Sequence, residues 1–204
     1  MKGGIPGLTA KQRAYDSVQT KETILLHAKA LFSKKGYKGV SISDICAAAG
    51  LSKGSIYHHF KNKEDLFVQL AELSFADSWK DWDSRSVRFS SATDKLYAYS
   101  ELYADNVDLS LTKAGEDFMA TTGADSAAFQ QFGAILTDYV RRFEDIIREG
   151  IENGEFKPEE PGEMAFALLS SYSGLANNSR YLDKENVRRL FRKMTDMLLD
   201  GIRK

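Results

Sequence analysis

Few residues of this 204-residue chain have the types and spacing that metal binding requires. Cys46 is the single cysteine, which excludes an internal disulfide and any cysteine-rich zinc site. His58 and His59 are adjacent, so on a helix their side chains diverge by about 100° and cannot jointly hold one ion. We therefore expect no metal and no cofactor, and we interpret Cys46 as a small packed residue and His27 as an ordinary histidine.

The sequence also lacks the short strings that mark common catalytic sites. It contains no Gly-x-Ser-x-Gly, Gly-x-Gly-x-x-Gly, Walker or His-Glu-x-x-His string. Asp77, Asp81 and Asp83 are close together, but their spacing is typical of a solvated helix face. We therefore expect a protein that is not an enzyme.

Binding chemistry is better represented, and it is concentrated in the first third of the chain. Residues 1–65 carry 11 Lys and Arg against 5 Asp and Glu, whereas residues 66–204 carry 17 against 24. All three histidines lie in the basic part. This asymmetry indicates one end of the molecule that binds an anion, with nucleic acid among the candidates.

The elements that position these residues are predicted to be helices throughout. No proline occurs between Pro6 and Pro158, and apolar residues recur at spacings of three and four. Gly36 and Gly50 mark helix ends, and Ser41 with Asp44 forms a capping-box pattern. The predicted all-α chain has helices at 21–35, 42–49, from Ser52, 63–82, 92–106, 109–121, 126–153, 162–178 and 184–202.

Residues 41–60 have the pattern of a helix-turn-helix. Two short helices are joined by a turn that contains Gly50, and Ile45, Leu51 and Ile56 are expected to face inward. The second helix then presents Lys53, Ser55, Tyr57, His58 and His59 outward. These hydrogen-bonding groups and one aromatic ring suit phosphate oxygens and base edges in a DNA major groove.

This segment resembles the DNA-binding domain of the TetR family of bacterial transcriptional repressors. Mild departures are Val40, where the family often has Thr, and Cys46, where Ala is usual. The resemblance covers residues 24–67 and rests on Ile24, Ala28, Leu31-Phe32, Gly36-Tyr37, Ser41-Ile42, Ile45, Ala49-Gly50-Leu51-Ser52, Gly54-Ser55-Ile56-Tyr57, His59-Phe60 and Lys63-Glu64-Asp65-Leu66.

The resemblance implies individual roles in DNA binding. Ser55, Tyr57 and His58 are expected to reach bases, Lys53 a guanine or a phosphate, and Gly54 allows close backbone approach. Lys63 begins a helix whose backbone N–H groups favour anions. The residues expected to hold phosphates are Ser41, Lys53, Ser55, Tyr57, His59 and Lys63.

The remainder of the chain is rich in aromatic residues, most of which suit an ordinary helix-bundle core. The resemblance implies that some of them enclose an adaptable, apolar small-molecule cavity. The candidate ligand-binding residues are Tyr103, Met119, Phe118, Phe129, Phe132 and Phe143, with Tyr103, Asn106, Thr122 and Gln130 as candidate polar contacts.

The last two helices carry broad apolar stripes interleaved with small residues. The resemblance implies that they pair with their two-fold mates in a homodimer, and a purely internal bundle is the alternative. The candidate interface residues are Leu168, Tyr172, Leu175, Leu190, Phe191, Met194 and Leu198.

These observations predict three parts: a flexible arm at 1–19, a DNA-binding domain at 20–66, and a ligand-binding and dimerisation domain at 67–204. The expected function is a repressor that a small hydrophobic effector releases from a palindromic operator, with the helix at 63–82 as the lever. The alternative is a helical small-molecule-binding protein or enzyme with a vestigial DNA-binding corner. No apolar run approaches the roughly 18 residues of a membrane helix, so we expect a cytoplasmic protein without a membrane partner.

Overall fold

The computed structural model describes residues 10–106, 111–179 and 181–203, and the folded part of these ranges is all-α, as predicted. One isolated bridge pairs Phe156 with Arg203 and joins the end of the chain to the loop after the long seventh helix. The helices are α1 (Ala10–Lys35), α2 (Ile42–Ala49), α3 (Lys53–His59), α4 (Lys63–Ser86), α5 (Ala92–Asp105), α6 (Thr112–Thr121), α7 (Ala127–Glu152), α8 (Pro161–Asn178) and α9 (Lys184–Ile202).

Helix α1 begins earlier than the sequence pattern indicated. The predicted arm at 1–19 is therefore wrong over residues 10–19, which are helical, while residues 1–9 lie outside the described residues. Ala, Lys, Gln and Arg are common in this segment, and they favour a helix even without an apolar stripe. Residues 109 and 110 of the predicted sixth helix also lie outside the described residues.

Local contacts define the three short elements of the amino-terminal part. The Ser41 side chain accepts from the Asp44 N–H, and the Asp44 carboxylate accepts from the Ser41 N–H, so the predicted capping box is confirmed. The Ser52 side chain accepts from the Ser55 N–H and caps α3, and the Asn62 side chain accepts from the Asp65 N–H and caps α4. Gly50 ends α2 with φ at 67°, a conformation that few other residues adopt at low cost.

Two buried clusters form the core, and α4 contributes to both. The amino-terminal cluster contains Ile24, Phe32, Ile45, Ile56 and Phe67 from the first four helices, and it also contains Phe118 of α6 and Phe132 of α7. The carboxy-terminal cluster contains Trp79, Tyr99, Phe143, Tyr172 and Phe191. The predicted boundary between residues 66 and 67 falls within α4, and the division into domains at that point stays a prediction.

Helices α5, α7, α8 and α9 form the body of the carboxy-terminal part. Helix α9 packs mainly on α5, and α8 packs mainly on α7. Tyr172 of α8 and Thr195 of α9 join the two last helices through a buried hydrogen bond of 2.7 Å between their hydroxyl groups. Within the described ranges, every helix is too short or too polar to cross a membrane.

Candidate nucleic-acid interface and internal cavity

Helix α3 exposes the polar face that the sequence pattern indicated. Ile56 is fully buried and fixes the helix on the core, so Tyr57 on the adjacent face is 53% exposed. Lys53, Gly54 and His58 are also exposed, whereas Ser55 and His59 are half-buried. The structure therefore brings the predicted α3 residues together on one short, accessible surface.

Ser41 and Ser55, two of the predicted DNA contacts, each have a hydroxyl group within hydrogen-bond distance of a neighbour at the start of a helix. The Ser41 hydroxyl lies 2.6 Å from Asp44 Oδ2, and the hydroxyls of Ser52 and Ser55 lie 3.0 Å apart. These contacts lie at the amino-terminal ends of α2 and α3, where backbone N–H groups attract anions. The Ser41 hydroxyl proton is used by the Asp44 carboxylate, so the contacts of Ser41 and Ser55 with phosphate stay predictions.

Lys63 has a structural contact that the sequence did not indicate. Its ammonium group donates to the carbonyl oxygens of Tyr37 and Val40, each at 2.8 Å, and lies 4.0 Å from the centre of the Tyr37 ring. Burial lowers the pKa of Lys63, and the carboxylate of Asp117 acts in the opposite direction. Lys63 thus holds the connection between α1 and α2, and its contact with phosphate stays a prediction.

The two histidines of α3 differ in environment. Their ring centres are 5.1 Å apart. Burial lowers the pKa of His59 below its usual 6.5, and the nearby His58 and Lys21 act in the same direction. A neutral His59 imidazole has one N–H donor and one acceptor nitrogen, so it can serve as a hydrogen-bonding contact without a charge.

A cavity of about 790 Å³ lies between α4, α5, α6, α7 and α8. Lys29 of α1 reaches its edge, so the cavity touches both parts of the molecule. Its apolar wall includes Leu102, Leu111, Met119, Leu136, Val140 and Leu169. Its aromatic lining consists of Phe75, Tyr99, Tyr103, Phe132, Tyr139 and Phe166.

Half of the residues predicted to bind a ligand lie on the cavity wall. Tyr103, Met119 and Phe132 line it, whereas Phe118 and Phe143 are fully buried in the two core clusters. Phe129 is half-buried at the start of α7 and is also not on the wall. These three predictions were wrong because helical spacing shows that a residue is apolar and inward but does not show which neighbour covers it.

Several lining residues were missed by sequence reasoning. Tyr99 and Tyr139 line the cavity from α5 and α7, and Phe75 and Phe166 line it from α4 and α8. Among the predicted polar contacts, Asn106 lies on the wall, but Thr122 and Gln130 do not. The polar end of tyrosine was the available signal, since a buried tyrosine usually places its hydroxyl near a polar group or a cavity.

Charged side chains lie on the cavity wall together with its apolar lining. Asp81 is paired with Arg85 at 2.9 Å, and Glu116 accepts a hydrogen bond of 2.6 Å from the Asn177 amide. In the part of the chain that the structure describes, no three His, Cys, Asp or Glu side chains come together as a metal site would require. The wall thus combines an apolar and aromatic lining with four charged side chains, Lys29, Asp77, Asp81 and Glu116.

Comparison with known protein families decides the identity of this architecture. The sequence model described as "Bacterial regulatory proteins, tetR family" matches residues 24–70, and the model described as "QacR-like protein, C-terminal region" matches residues 75–204. The chain belongs to the TetR family. The predicted resemblance is thereby confirmed, and the protein is a ligand-responsive, DNA-binding transcriptional regulator.

Individual relatives extend over nearly the whole chain. The HTH-type transcriptional regulator QacR of Staphylococcus aureus is 24% identical over 185 residues, which cover 90% of this chain and 98% of QacR. An uncharacterized HTH-type regulator of Bacillus subtilis, YhgD, is 28% identical over 179 residues, covering 84% and 92%. The relatives are transcriptional regulators, in agreement with the absence of catalytic motifs in the sequence.

Solved structures show the same fold at low identity. A TetR-family regulator from Agrobacterium tumefaciens superimposes with a TM-score of 0.77 at 18% identity, covering 92% of this chain and all of that one. FadR from Bacillus subtilis, in complex with stearoyl-CoA, superimposes with a TM-score of 0.72 at 21% identity, covering 89% and 98%. These likenesses establish the TetR fold for this chain.

The predicted dimer residues of this TetR-family protein fall into two groups. Leu168, Tyr172 and Phe191 are buried within the single chain, so they are core residues and not an exposed interface. Leu175, Leu190, Met194 and Leu198 are half-buried. Met197 belongs to the apolar stripe that the sequence indicates on α9, and it is 62% exposed.

Proposed function

We propose that this TetR-family protein is a repressor that binds a palindromic operator as a homodimer and leaves it when a small hydrophobic effector enters the cavity. The main support for this proposal is that α4 and α6 each contribute both to the amino-terminal cluster and to the wall of the cavity. On α4, Phe67 packs in the amino-terminal cluster while Phe75 lines the cavity. On α6, Phe118 packs in that cluster while Met119 lines the cavity.

This arrangement supports a simple linkage between effector and operator. Two recognition helices must lie roughly 34–36 Å apart to enter successive major grooves. A molecule that fills the cavity acts on α4 and α6, and any shift of these helices is transmitted to α3 through the common core. An effector that prefers a different separation then weakens operator binding by about 1–3 kcal/mol.

A second copy of this chain is the proposed partner of the outer face of α8 and α9. Leu190, Met194 and Met197 recur at three- and four-residue spacing on α9, and the last of them is largely exposed. Ala167 on α8 is exposed and small, which permits close helix approach. An obligate interface of this kind buries on the order of 2,000 Å² or more.

The proposed effector is a neutral or weakly charged hydrophobic molecule. A cavity of about 790 Å³ holds a compound of drug size. Two of its three carboxylates already have partners, since Asp81 is paired with Arg85 and Glu116 accepts from Asn177, and this favours an uncharged ligand over a cation. Because operator binding is the proposed activity, the compartment of action is the cytoplasm.

The experiment that tests this function measures operator binding with and without a cavity probe. Fluorescence anisotropy with the DNA upstream of the gene gives the affinity, and 9-fluorenone serves as a planar, uncharged probe. We expect tight binding without the probe and weaker binding with it. The Tyr57→Ala variant is the matched control, since it should lose operator affinity and still be stabilised by the probe in thermal unfolding.

Two results would contradict the proposal. Failure to bind the upstream DNA at low salt would favour a helical small-molecule-binding protein or an enzyme with a vestigial DNA-binding corner. A probe that raises the melting temperature without changing operator affinity would disprove the coupling through α4 and α6.

A further inference from the structure

Three hydroxyl groups from three different helices meet at the cavity. The Tyr99 hydroxyl of α5 is hydrogen-bonded to the Tyr139 hydroxyl of α7. The Ser78 hydroxyl of α4 is close enough to Tyr99 to lower its pKa. All three residues line the cavity. We call Ser78, Tyr99 and Tyr139 the hydroxyl cluster.

The surroundings of the hydroxyl cluster are aromatic and dry. The Tyr99 ring lies 4.5 Å from Phe143 and 5.2 Å from Trp82, measured between ring centres. The Tyr139 ring lies 4.8 Å from Phe75 and 5.2 Å from Trp79. A polar group placed here loses contact with bulk water, so its hydrogen bonds decide whether its burial is favourable.

The hydroxyl cluster keeps one donor for a ligand. Each hydroxyl has a single O–H proton and two acceptor positions. The hydrogen bond between the two phenols uses one of their two protons, and the other is left. Because the three residues line the cavity, that O–H is available to a molecule that occupies it.

We propose that the hydroxyl cluster is a polar subsite of the cavity, which binds an uncharged hydrogen-bond acceptor, such as a ketone or ether oxygen, on an otherwise apolar effector. The inference rests on the proposed function of the cavity as the effector site. Burial raises the pKa of Tyr99, and burial together with the neighbouring Tyr99 raises that of Tyr139. Both therefore remain neutral donors at physiological pH, in surroundings that disfavour a charge.

The position of Ser78 connects this subsite to the lever. Ser78 lies on α4, the helix that begins beside the recognition helix and carries Phe67 into the amino-terminal cluster. An acceptor held by the hydroxyl cluster therefore contacts α4, α5 and α7 at once. A ligand in this subsite thus contacts α4, the helix through which the proposed function couples the cavity to the DNA-binding unit.

The test compares two probes of nearly the same shape on matched variants. 9-Fluorenone has a ketone oxygen, and fluorene has none. Their affinities are measured from the quenching of tryptophan fluorescence, since Trp79 adjoins the Tyr139 ring. The variants are Tyr99→Phe, Tyr139→Phe and the double variant of the two tyrosines, to which Ser78→Ala is added so that no hydroxyl of the cluster remains. Tyr97→Phe is the control, because Tyr97 is on the same helix but bonds to Asp196 outside the cavity wall.

We expect the unaltered protein to bind 9-fluorenone about three- to tenfold more tightly than fluorene, the range for one hydrogen bond. This ratio should fall to about one in the variant without the three hydroxyls and remain unchanged in Tyr97→Phe. Equal affinities in the unaltered protein, no saturable binding of either probe, or a ratio that survives in the variant without the three hydroxyls would overturn the subsite. Tighter binding of the cation of 9-aminofluorene, unaffected by the tyrosine variants, would overturn it in favour of the carboxylates.

Operator binding separates this inference from the proposed function. If the ketone preference is missing while 9-fluorenone still weakens operator binding, only the subsite is wrong. If the ketone preference is present but the protein does not bind operator DNA, the proposed function is wrong and the subsite stands.

Discussion

The helix-turn-helix corner and the walls of the cavity are held by different kinds of contact. In the corner, the first turns of α2, α3 and α4 are each capped by a side chain: Ser41, Ser52 and Asn62. At the cavity, Ser91 and Ser126 cap α5 and α7 likewise, but the residues before α6 and α8, Leu111 and Glu160, form no side-chain cap. Side-chain caps thus fix the first turns of α2, α3 and α4, whereas packing positions the first turns of α6 and α8.

This difference has a consequence for signalling. Gly115 of α6 lies close to α7, since a Cβ atom at this position would be 3.1 Å from Phe132 Cζ. Phe118, three residues later, is fully buried in the amino-terminal cluster. If a ligand displaces Met119 or Phe132, we expect α6 to move without breaking any cap of the corner. We infer that the corner shifts as a unit while its own geometry stays constant.

The largest effect is expected where α6 enters the amino-terminal cluster. Phe118→Ala removes a fully buried ring and should lower the free energy of unfolding by about 3–5 kcal/mol. The control is Phe129→Ala on half-buried Phe129, for which we expect about 1 kcal/mol or less. Urea denaturation measures both. Similar losses in the two variants would show that α6 is not anchored by Phe118.

The next effect concerns the outer face of α9. Met197→Glu places a charge on a side chain that is 62% exposed in the single chain, so the fold should survive. If a second copy covers Met197, dimer affinity should fall by about 2 kcal/mol or more, roughly 30-fold. Light scattering at micromolar concentration measures the mass. Val87→Glu, at another exposed apolar residue, should leave the dimer intact, and an unaltered protein that is already monomeric would refute the interface.

A smaller effect is expected on the DNA-reading face. Tyr57→Ala should leave the free energy of unfolding within about 0.5 kcal/mol, because Tyr57 is 53% exposed. Operator affinity should fall by about 1–3 kcal/mol if the ring contacts DNA. Anisotropy must be read at one fixed salt concentration, since phosphate contacts make binding salt-dependent. The control is Tyr181→Ala, on a residue beyond α8 that is 95% exposed, and this variant should bind operator DNA normally. Equal losses of operator affinity in both variants would show that Tyr57 does not contact DNA.

The smallest effect is expected at the cap of α2. Ser41→Ala should cost about 1 kcal/mol of stability at neutral pH. The hydrogen bonds from Ser41 lower the pKa of Asp44 below its ordinary 3.8. A carboxyl group with a depressed pKa stabilises the fold above the unfolded value, and this contribution is lost as pH falls through the folded value. The melting temperatures of the unaltered protein and of Ser41→Ala should therefore converge below about pH 4. A constant difference in melting temperature down to about pH 2 would show that the cap stabilises the fold independently of Asp44.

The corner could be predicted from the sequence because its determinants are neighbours in the chain. Ser41 and Asp44 are three residues apart, and Gly50 needs only its own positive φ to end α2. The bounds of α2 and the opening of α3 after Ser52 were accordingly confirmed. Lys63 is the exception, since its carbonyl partners Tyr37 and Val40 lie 26 and 23 residues away.

The sequence by itself determined the all-α class, most helix bounds and the exposed face of α3, because short-range caps and helical periodicity encode them. Only the tertiary structure decided which inward residues face a cavity, a core or a partner. Phe143 and Tyr139 lie one helical turn apart on α7, yet one is fully buried in the core and the other lines the cavity. Helical periodicity indicates that a side chain is buried, but the residues that it contacts there belong to helices that are distant in sequence.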